Sequence, residues 1–169
     1  MLVKKIKTEW AYIGTPNPQG KFTVTLRPNK EQQEQIEELL SSTWQDEFGT
    51  KKQPAWFGSF KEDENGARFV ANKVAKYTNK DGEEVKNQLK VYDVYARELD
   101  EVPNVANGAT MNVSLNAYLT EYQGKKGVSL GLQKVQLIDY TIYDGAGDEF
   151  EAEADLTDSD EDEIKPEGL

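Results

Sequence analysis

The sequence predicts a mainly-β domain, closed into a barrel or packed as a sandwich, with one early α-helix and an acidic C-terminal tail. Three observations lead to this prediction. Short segments in which apolar and polar residues alternate recur between turn residues, one segment has helical periodicity, and acidic residues accumulate at the end of the chain. We therefore divide the 169 residues into a folded domain, 1–147, and a disordered tail, 148–169.

The first predicted elements are two strands and the helix. Residues 3–13 and 21–27 are the strands, and Phe22, Val24 and Leu26 alternate cleanly along the second one. Asn29 is a good N-cap for a helix that continues to about residue 46, because the following residues recur at helical spacing on one face. The residues of this face are Ile36, Leu39, Leu40, Thr43 and Trp44. We expect the Trp44 side chain to belong to the core.

Turn residues delimit the later strands. Asp81-Gly82, Asn107-Gly108 and residues 124–127 are typical turn sequences, and an acidic turn covers 62–66. They bound strands near 68–77, 89–95, 109–122 and 128–143, and an aromatic segment, 56–60, precedes the first of these. The chain then has about six or seven strands and a single helix, which favours a closed or sandwiched β-domain over an α/β fold.

The net charge of −11 is divided unevenly along the chain. Residues 1–147 contain 19 Lys and Arg against 20 Asp and Glu, whereas residues 148–169 contain one lysine and 11 acidic residues. The tail has too little apolar area to fold, so we expect a disordered segment that binds partners. Its candidate partner-binding residues are Asp148, Glu149, Phe150, Glu151, Asp158, Asp160, Glu161, Asp162 and Glu163.

The sequence contains no histidine and no cysteine, which removes the usual general base, the thiol nucleophile and the common zinc ligands. Carboxylate-only hydrolysis is the enzymatic class that remains. Its candidates, Asp63, Glu64, Asp81 and Glu83, stand beside glycines in predicted turns, where solvated carboxylates are ordinary. We predict that the chain is not an enzyme and has no metal site and no cofactor.

No apolar run approaches the roughly 20 residues that a membrane span needs. Residues 1–7 contain three lysines and no apolar segment of the kind that a signal peptide has. We therefore expect a soluble, cytoplasmic protein without a membrane partner.

Basic and aromatic residues occur together on the predicted strands. A groove for single-stranded nucleic acid needs this mixture, since cations follow the phosphate backbone and flat rings stack on the bases. Solvated strand faces with half-buried tyrosines are the alternative and fit the same composition. The candidate nucleic-acid-binding residues are Lys4, Lys5, Arg68, Lys73, Lys76, Tyr77, Lys90, Tyr92, Tyr118, Tyr122, Lys125 and Lys126.

Short motifs follow one another in a characteristic order. They are EWAYI at 9–13, NPQGKFTVTL at 17–26, PNK at 28–30, LDEVP at 99–103, the strand at 112–118 and GVSLGLQKVQL at 127–137, before the acidic tail. In order and spacing they resemble the single-stranded DNA-binding proteins of short-tailed, podovirus-type bacteriophages. The resemblance covers nearly the whole chain.

The resemblance implies an OB-type five-stranded barrel with extra strands and one inserted helix, which binds single-stranded DNA without sequence preference. It also implies roles in phage DNA replication, recombination and repair, in the cytoplasm of the infected bacterial host. A homodimer is implied too, as is a tail that recruits the phage DNA polymerase and primase–helicase. The positions that resemble DNA-contacting groups of the family are Lys4, Lys5, Lys73, Lys76 and Tyr118.

Two hypotheses follow for the acidic tail. Because phosphates and tail carboxylates are both flexible polyanions, the tail can occupy the basic groove until DNA displaces it. The alternative function is an acidic protein-binding adaptor without DNA binding. That function explains the tail equally well, but it leaves the strand lysines and the order of the motifs unexplained.

Overall fold

A computed structural model describes residues 1–143 and shows a closed five-stranded barrel with additional strands and one helix. In chain order the elements are β1 (Leu2–Tyr12), β2 (Lys21–Arg27), α1 (Lys30–Phe48), β3 (Lys61–Asp63), β4 (Gly66–Val74), β5 (Lys76–Thr78), β6 (Glu84–Lys86), β7 (Lys90–Tyr92), β8 (Thr110–Tyr122) and β9 (Lys125–Asp139). The predicted mainly-β fold class, with its barrel, extra strands and single helix, is confirmed. Residues 144–169, and with them the predicted tail, lie outside the described residues.

The barrel closes because each of its five strands pairs with two others. β1 pairs antiparallel with β2 and β8, β2 pairs with β4, and β8 pairs with β9. The last seam is parallel, with Ala71 of β4 opposite Leu130 of β9 and Asn72 opposite Gly131. A closed barrel leaves no long sheet edge exposed, and its alternating strands send every second side chain into one shared core.

The helix begins where the sequence predicts it. The Asn29 side chain accepts a hydrogen bond from the Gln32 backbone N–H at 2.8 Å, and the Gln32 side chain accepts one from the Asn29 N–H at 2.9 Å. This capping box satisfies two otherwise unpaired donors of the first turn. Ile36, Leu40 and Trp44 are buried, so the expected core position of Trp44 is confirmed, and α1 packs against β1, β8 and β9. The helix ends two residues beyond the predicted end.

The single strand predicted at 68–77 is wrong, because β4 ends at Val74 and a separate strand, β5, follows. β2 begins at Lys21, which pairs with Val74, so β4 has no barrel partner beyond that residue. The Ala75 N–H donates to the Gly20 carbonyl, and the chain then leaves the barrel to form the small β5–β6 sheet. Lys76 and Tyr77 therefore lie on a different sheet from Arg68 and Lys73.

Two further strand ends differ from the prediction. The strand predicted at 89–95 ends at Tyr92, because the Asp93 carboxylate accepts hydrogen bonds from the Tyr95 and Arg97 backbone N–H groups and turns the chain. The strand predicted at 128–143 spans Lys125–Asp139. The preceding hairpin turn contains only residues 123 and 124, with φ of 52° and 78°, so Lys125 begins β9 and the loop is shorter than predicted.

No helix within residues 1–143 is long and apolar enough to cross a membrane.

Candidate nucleic-acid interface

One row of outward-pointing residues crosses all five barrel strands. Tyr12 of β1 pairs with Thr23 of β2, which pairs with Asn72 of β4. Asn72 pairs in turn with Gly131 of β9, and Gly131 pairs with Asn116 of β8. Most of the residues that flank this row along the strands are buried in the core. We call this outer surface the groove face, and its further members are Arg68, Val70, Tyr118, Thr120 and Ser129.

Tyr118 is held on the groove face by a hydrogen bond that crosses β9. Its hydroxyl donates to the Asn72 side-chain oxygen at 3.1 Å. Side chains can extend over β9 here because Gly131 has none, and an added Cβ would collide with the Asn116 amide. The half-buried Tyr118 ring is thereby fixed between β8 and β4.

A second ring, that of Trp56, lies beside the groove face although the strand pattern does not predict it. Its indole N–H donates to Thr120 Oγ1 at 2.7 Å. The loop that carries it runs along β9, where the Gly58 N–H donates to the Val128 carbonyl at 2.8 Å. Because Trp56 comes from a loop, periodicity cannot find it. The available sequence signal is Gly127, an outward position of β9 without a side chain.

Arg27 of β2 is an outward-pointing cation whose donors are already occupied. Its Nη1 and Nη2 donate to the two carboxylate oxygens of Asp63 at 3.0 Å, and its Nε donates to Glu9 at 3.1 Å. The bond to Arg27 lowers the pKa of Asp63 below its usual value and raises the pKa of Arg27. The Arg27 side chain is only 15% exposed; it connects the end of β3 to β1 and β2 and has few donors left for a phosphate.

Part of the predicted binding set lies on the groove face or continues it. Arg68 and Tyr118 belong to it, and Tyr122 and Lys125 extend it along the β8–β9 hairpin, on the outward side of both strands. Lys126 lies on the opposite side of β9 from Lys125, and its Nζ is 5.3 Å from the ring centroid of the last residue of α1. The hairpin therefore contributes one ring and one cation to the groove face.

Lys73, Lys76 and Tyr77 lie at the other end of β4. Lys73 is opposite the buried Phe22 of β2 and is half-buried. Lys76 and Tyr77 are exposed on β5, and the Lys76 Nζ lies 4.0 Å from a Glu84 carboxylate oxygen. These three residues stand beside the end of the groove face and are not part of its rows.

The remaining predicted residues lie on β1 and β7, which flank the β8–β9 pair at the end away from its hairpin turn, and we call this region the second surface. Gln136 of β9 accepts a hydrogen bond from the Asn112 side chain of β8 and donates one to the Asp93 carbonyl after β7. Asn112 also accepts one from the Lys5 backbone N–H of β1. The predicted residues on this surface are Lys4, Lys5, Lys90 and Tyr92.

The acidic residues of the described part of the chain show no arrangement that could hold a metal ion. No group of three His, Cys, Asp or Glu side chains within residues 1–143 comes together. Asp63 faces Arg27, whereas Asp81 and Glu83 stand in the β5–β6 turn, where their backbone N–H groups donate to Asn79. The predicted partner-binding residues between Asp148 and Glu163 lie outside the described residues.

Comparison with known proteins gives matches in structure and none in sequence. No protein-family model matches the chain, and no curated protein does. The crystal structure of gp2.5, a single-stranded DNA-binding protein encoded by bacteriophage T7, superimposes with a TM-score of 0.65 at 20% identity, over 95% of this chain and 98% of that one. The single-stranded DNA-binding protein from bacteriophage Enc34 in complex with ssDNA superimposes with a TM-score of 0.61 at 14% identity, over 82% of this chain and 85% of that one. A second Enc34 structure gives a TM-score of 0.60 at 14% identity, over 86% and 84%. The chain therefore resembles phage single-stranded DNA-binding proteins in fold, as its motifs predict.

Proposed function

We propose that this chain binds single-stranded DNA without sequence preference, in phage DNA replication and recombination in the cytoplasm of an infected bacterial host. The observation that carries the proposal is the shared fold. The similarity to gp2.5 extends over 95% of this chain, and the similar Enc34 protein is in complex with ssDNA. The order of the sequence motifs supports the same function independently of the fold.

We expect the single-stranded DNA to bind on the groove face. OB folds bind oligonucleotides across the second and third barrel strands and the adjoining loops. In this barrel those strands are β2 and β4, which carry the centre of the groove face. Tyr118 offers a ring for a base, and Arg68 and Lys125 offer charges for phosphates, which is the combination that sequence-independent binding needs.

Residues at the margins of the groove face would extend the path of the bound DNA. Lys73, Lys76 and Tyr77 stand at the end of β4, where the β5–β6 sheet leaves the barrel. If the DNA also contacts Lys4, Lys5, Lys90 and Tyr92 as predicted, its path continues onto the second surface. Each neutralised phosphate releases a counterion, so affinity should fall steeply as the salt concentration rises.

The acidic tail gives this function a regulatory element. With 11 acidic residues and one lysine, residues 148–169 resemble a polyanion and would compete with DNA for the same cations. A tethered competitor has an effective concentration on the order of millimolar. DNA would then release the tail to recruit replication proteins such as the phage DNA polymerase and primase–helicase. A homodimer belongs to the same proposal.

Anisotropy titration of a labelled oligo-dT tests both parts. The full chain is compared with a variant that ends at Gly147, at two salt concentrations. We expect salt-sensitive binding that tightens on truncation, with a steeper salt dependence for the truncated chain because tail competition also weakens in salt. Equal affinities and equal salt slopes would contradict tail competition. Absence of binding by both chains, with circular dichroism confirming folded β-structure, would favour the protein-binding adaptor.

A further inference from the structure

The Trp56 indole lies flat on the backbone of β9. A Cβ added to Gly127 would be almost equally close to the indole Cδ2, Cε2 and Nε1 atoms, and far inside van der Waals contact with all three. These three atoms are consecutive members of the planar five-membered ring of the indole. A point at the same distance from all three lies on the line that passes through the ring centre perpendicular to the ring plane. Gly127 is therefore covered by the face of the indole and not by its edge.

Two hydrogen bonds hold Trp56 in place, one made by its ring and one by its backbone. The indole N–H donates to Thr120 at 2.7 Å, and the Trp56 carbonyl accepts the Val128 backbone N–H at 3.1 Å. Thr120 Oγ1 is in turn 3.2 Å from Ser129 Oγ. A ring that is already held in one orientation loses little conformational entropy when a ligand binds to it.

The surroundings of the ring leave room for a polynucleotide. The outward positions of β9 beneath and beside it are Gly127, Ser129 and Gly131, so no large side chain of β9 separates the indole from the Tyr118 ring. Thr120, which holds the indole, follows Tyr118 by two residues on the same side of β8, a separation of about 6.8 Å along a strand. Trp56 is partly exposed, so one side of the ring is covered by β9 while part of it remains accessible.

We propose that Trp56 is a base-stacking residue of the groove face, which stacks on a base next to the one that stacks on Tyr118. The proposal rests on the proposed function of single-stranded DNA binding. Every base has a flat π-face, so this contact adds affinity without sequence preference. Stacking also neutralises no phosphate, and its loss should leave the salt dependence of binding unchanged.

Three variants of the full chain test this role. Trp56→Leu removes the aromatic face, Trp56→Phe retains an aromatic ring, and Trp10→Phe is the matched control, because Trp10 is 55% exposed on β1 and lies outside the groove-face rows. Binding of labelled oligo-dT is measured by anisotropy over a range of salt concentrations. We expect Trp56→Leu to weaken binding about 10-fold at every salt concentration with an unchanged slope, and Trp56→Phe to recover most of the affinity.

Intrinsic fluorescence provides a second readout that does not require the leucine variant to fold. The chain has three tryptophans, and Trp44 is buried in the core. We expect oligo-dT to quench the fluorescence of the parent chain and of Trp10→Phe, and to quench that of Trp56→Phe far less. Parent binding with unchanged quenching in Trp56→Phe, or with unchanged affinity in a folded Trp56→Leu, would overturn the role of Trp56 and leave the proposed function intact. Absence of parent binding would overturn both.

Discussion

The Tyr118 hydroxyl donates a hydrogen bond to the Asn72 side-chain oxygen over the bare backbone of Gly131, and this contact ties β8 to β4 on the outside of the barrel. Asn72 of β4 is distant in sequence from Tyr118 and Gly131 of the β8–β9 hairpin, and it meets them only when β4 closes on β9. The Tyr118 ring is therefore oriented on the groove face before DNA binds, which lowers the entropic cost of stacking on a base.

Two substitutions separate the ring of Tyr118 from its hydroxyl. Tyr118→Leu should weaken oligo-dT binding by about 10-fold, because a stacked base contributes roughly 1–3 kcal/mol. Tyr118→Phe should keep most of the affinity and lower the free energy of unfolding by about 0.5–1.5 kcal/mol, the usual value of one hydrogen bond. Anisotropy and urea unfolding measure the two effects. A phenylalanine variant that binds as weakly as the leucine variant would contradict a stacking role.

The ion pair between Arg27 and Asp63 predicts a pH-dependent contribution to stability. The bond to Arg27 lowers the pKa of Asp63 below 3.8 in the folded protein. The ion pair therefore stabilises the protein fully above that value, and its contribution is lost as the pH falls through the lowered pKa. The melting temperature of Asp63→Asn should lie below that of the parent at about pH 7, and the difference should shrink at about pH 3.

Glu64→Gln is the matched control for the ion pair, since Glu64 follows Asp63 in the same turn and takes part in no ion pair within residues 1–143. Its melting temperature should follow that of the parent at both pH values. A difference between Asp63→Asn and the parent that stays constant with pH would show that the carboxylate charge is not the stabilising group.

Gly58 is a position where close packing and backbone conformation both require glycine. Its φ is +62°, and an added Cβ would lie 2.8 Å from Leu40 Cδ1 and 3.3 Å from Phe69 Cδ1. Gly58→Ala should lower the free energy of unfolding by about 1–3 kcal/mol for overpacking and by about 1–2 kcal/mol more for the left-handed conformation. Gly82→Ala, with φ of +81° and nothing within 4 Å, should show only the second cost. Equal losses in urea unfolding would contradict the packing argument.

The elements that the sequence predicts well are those with local signals. Phe22, Val24 and Leu26 alternate because one face of β2 is core, and Asn29 marks the start of α1 because its side chain caps the first turn. Strand ends depend on partners that a local pattern does not contain. β4 ends at Val74 only because β2 begins at Lys21.

The grouping of the candidate binding residues was not predictable for the same reason. Arg68 and Lys90 both occur on predicted strands, but the closure of the barrel places them on different surfaces along β9. Trp56 lies in a loop, and its position follows from a glycine about 70 residues later in the chain, a relation that only the folded structure reveals. The order of the motifs thus predicted the fold, whereas the layout of the candidate binding residues is visible only in the structure.

The central claim is that single-stranded DNA binds across the groove face. Two double charge reversals test it most directly. Lys61→Glu with Arg68→Glu changes a cross-strand pair that includes Arg68 of the groove face. Lys90→Glu with Lys134→Glu changes a pair on the second surface by the same charge. In anisotropy titrations of oligo-dT, the first variant should lose the larger share of affinity, and its salt slope should fall by about 0.7 for each lost phosphate contact. A larger loss in the second variant, with both variants folded by circular dichroism, would contradict the claim.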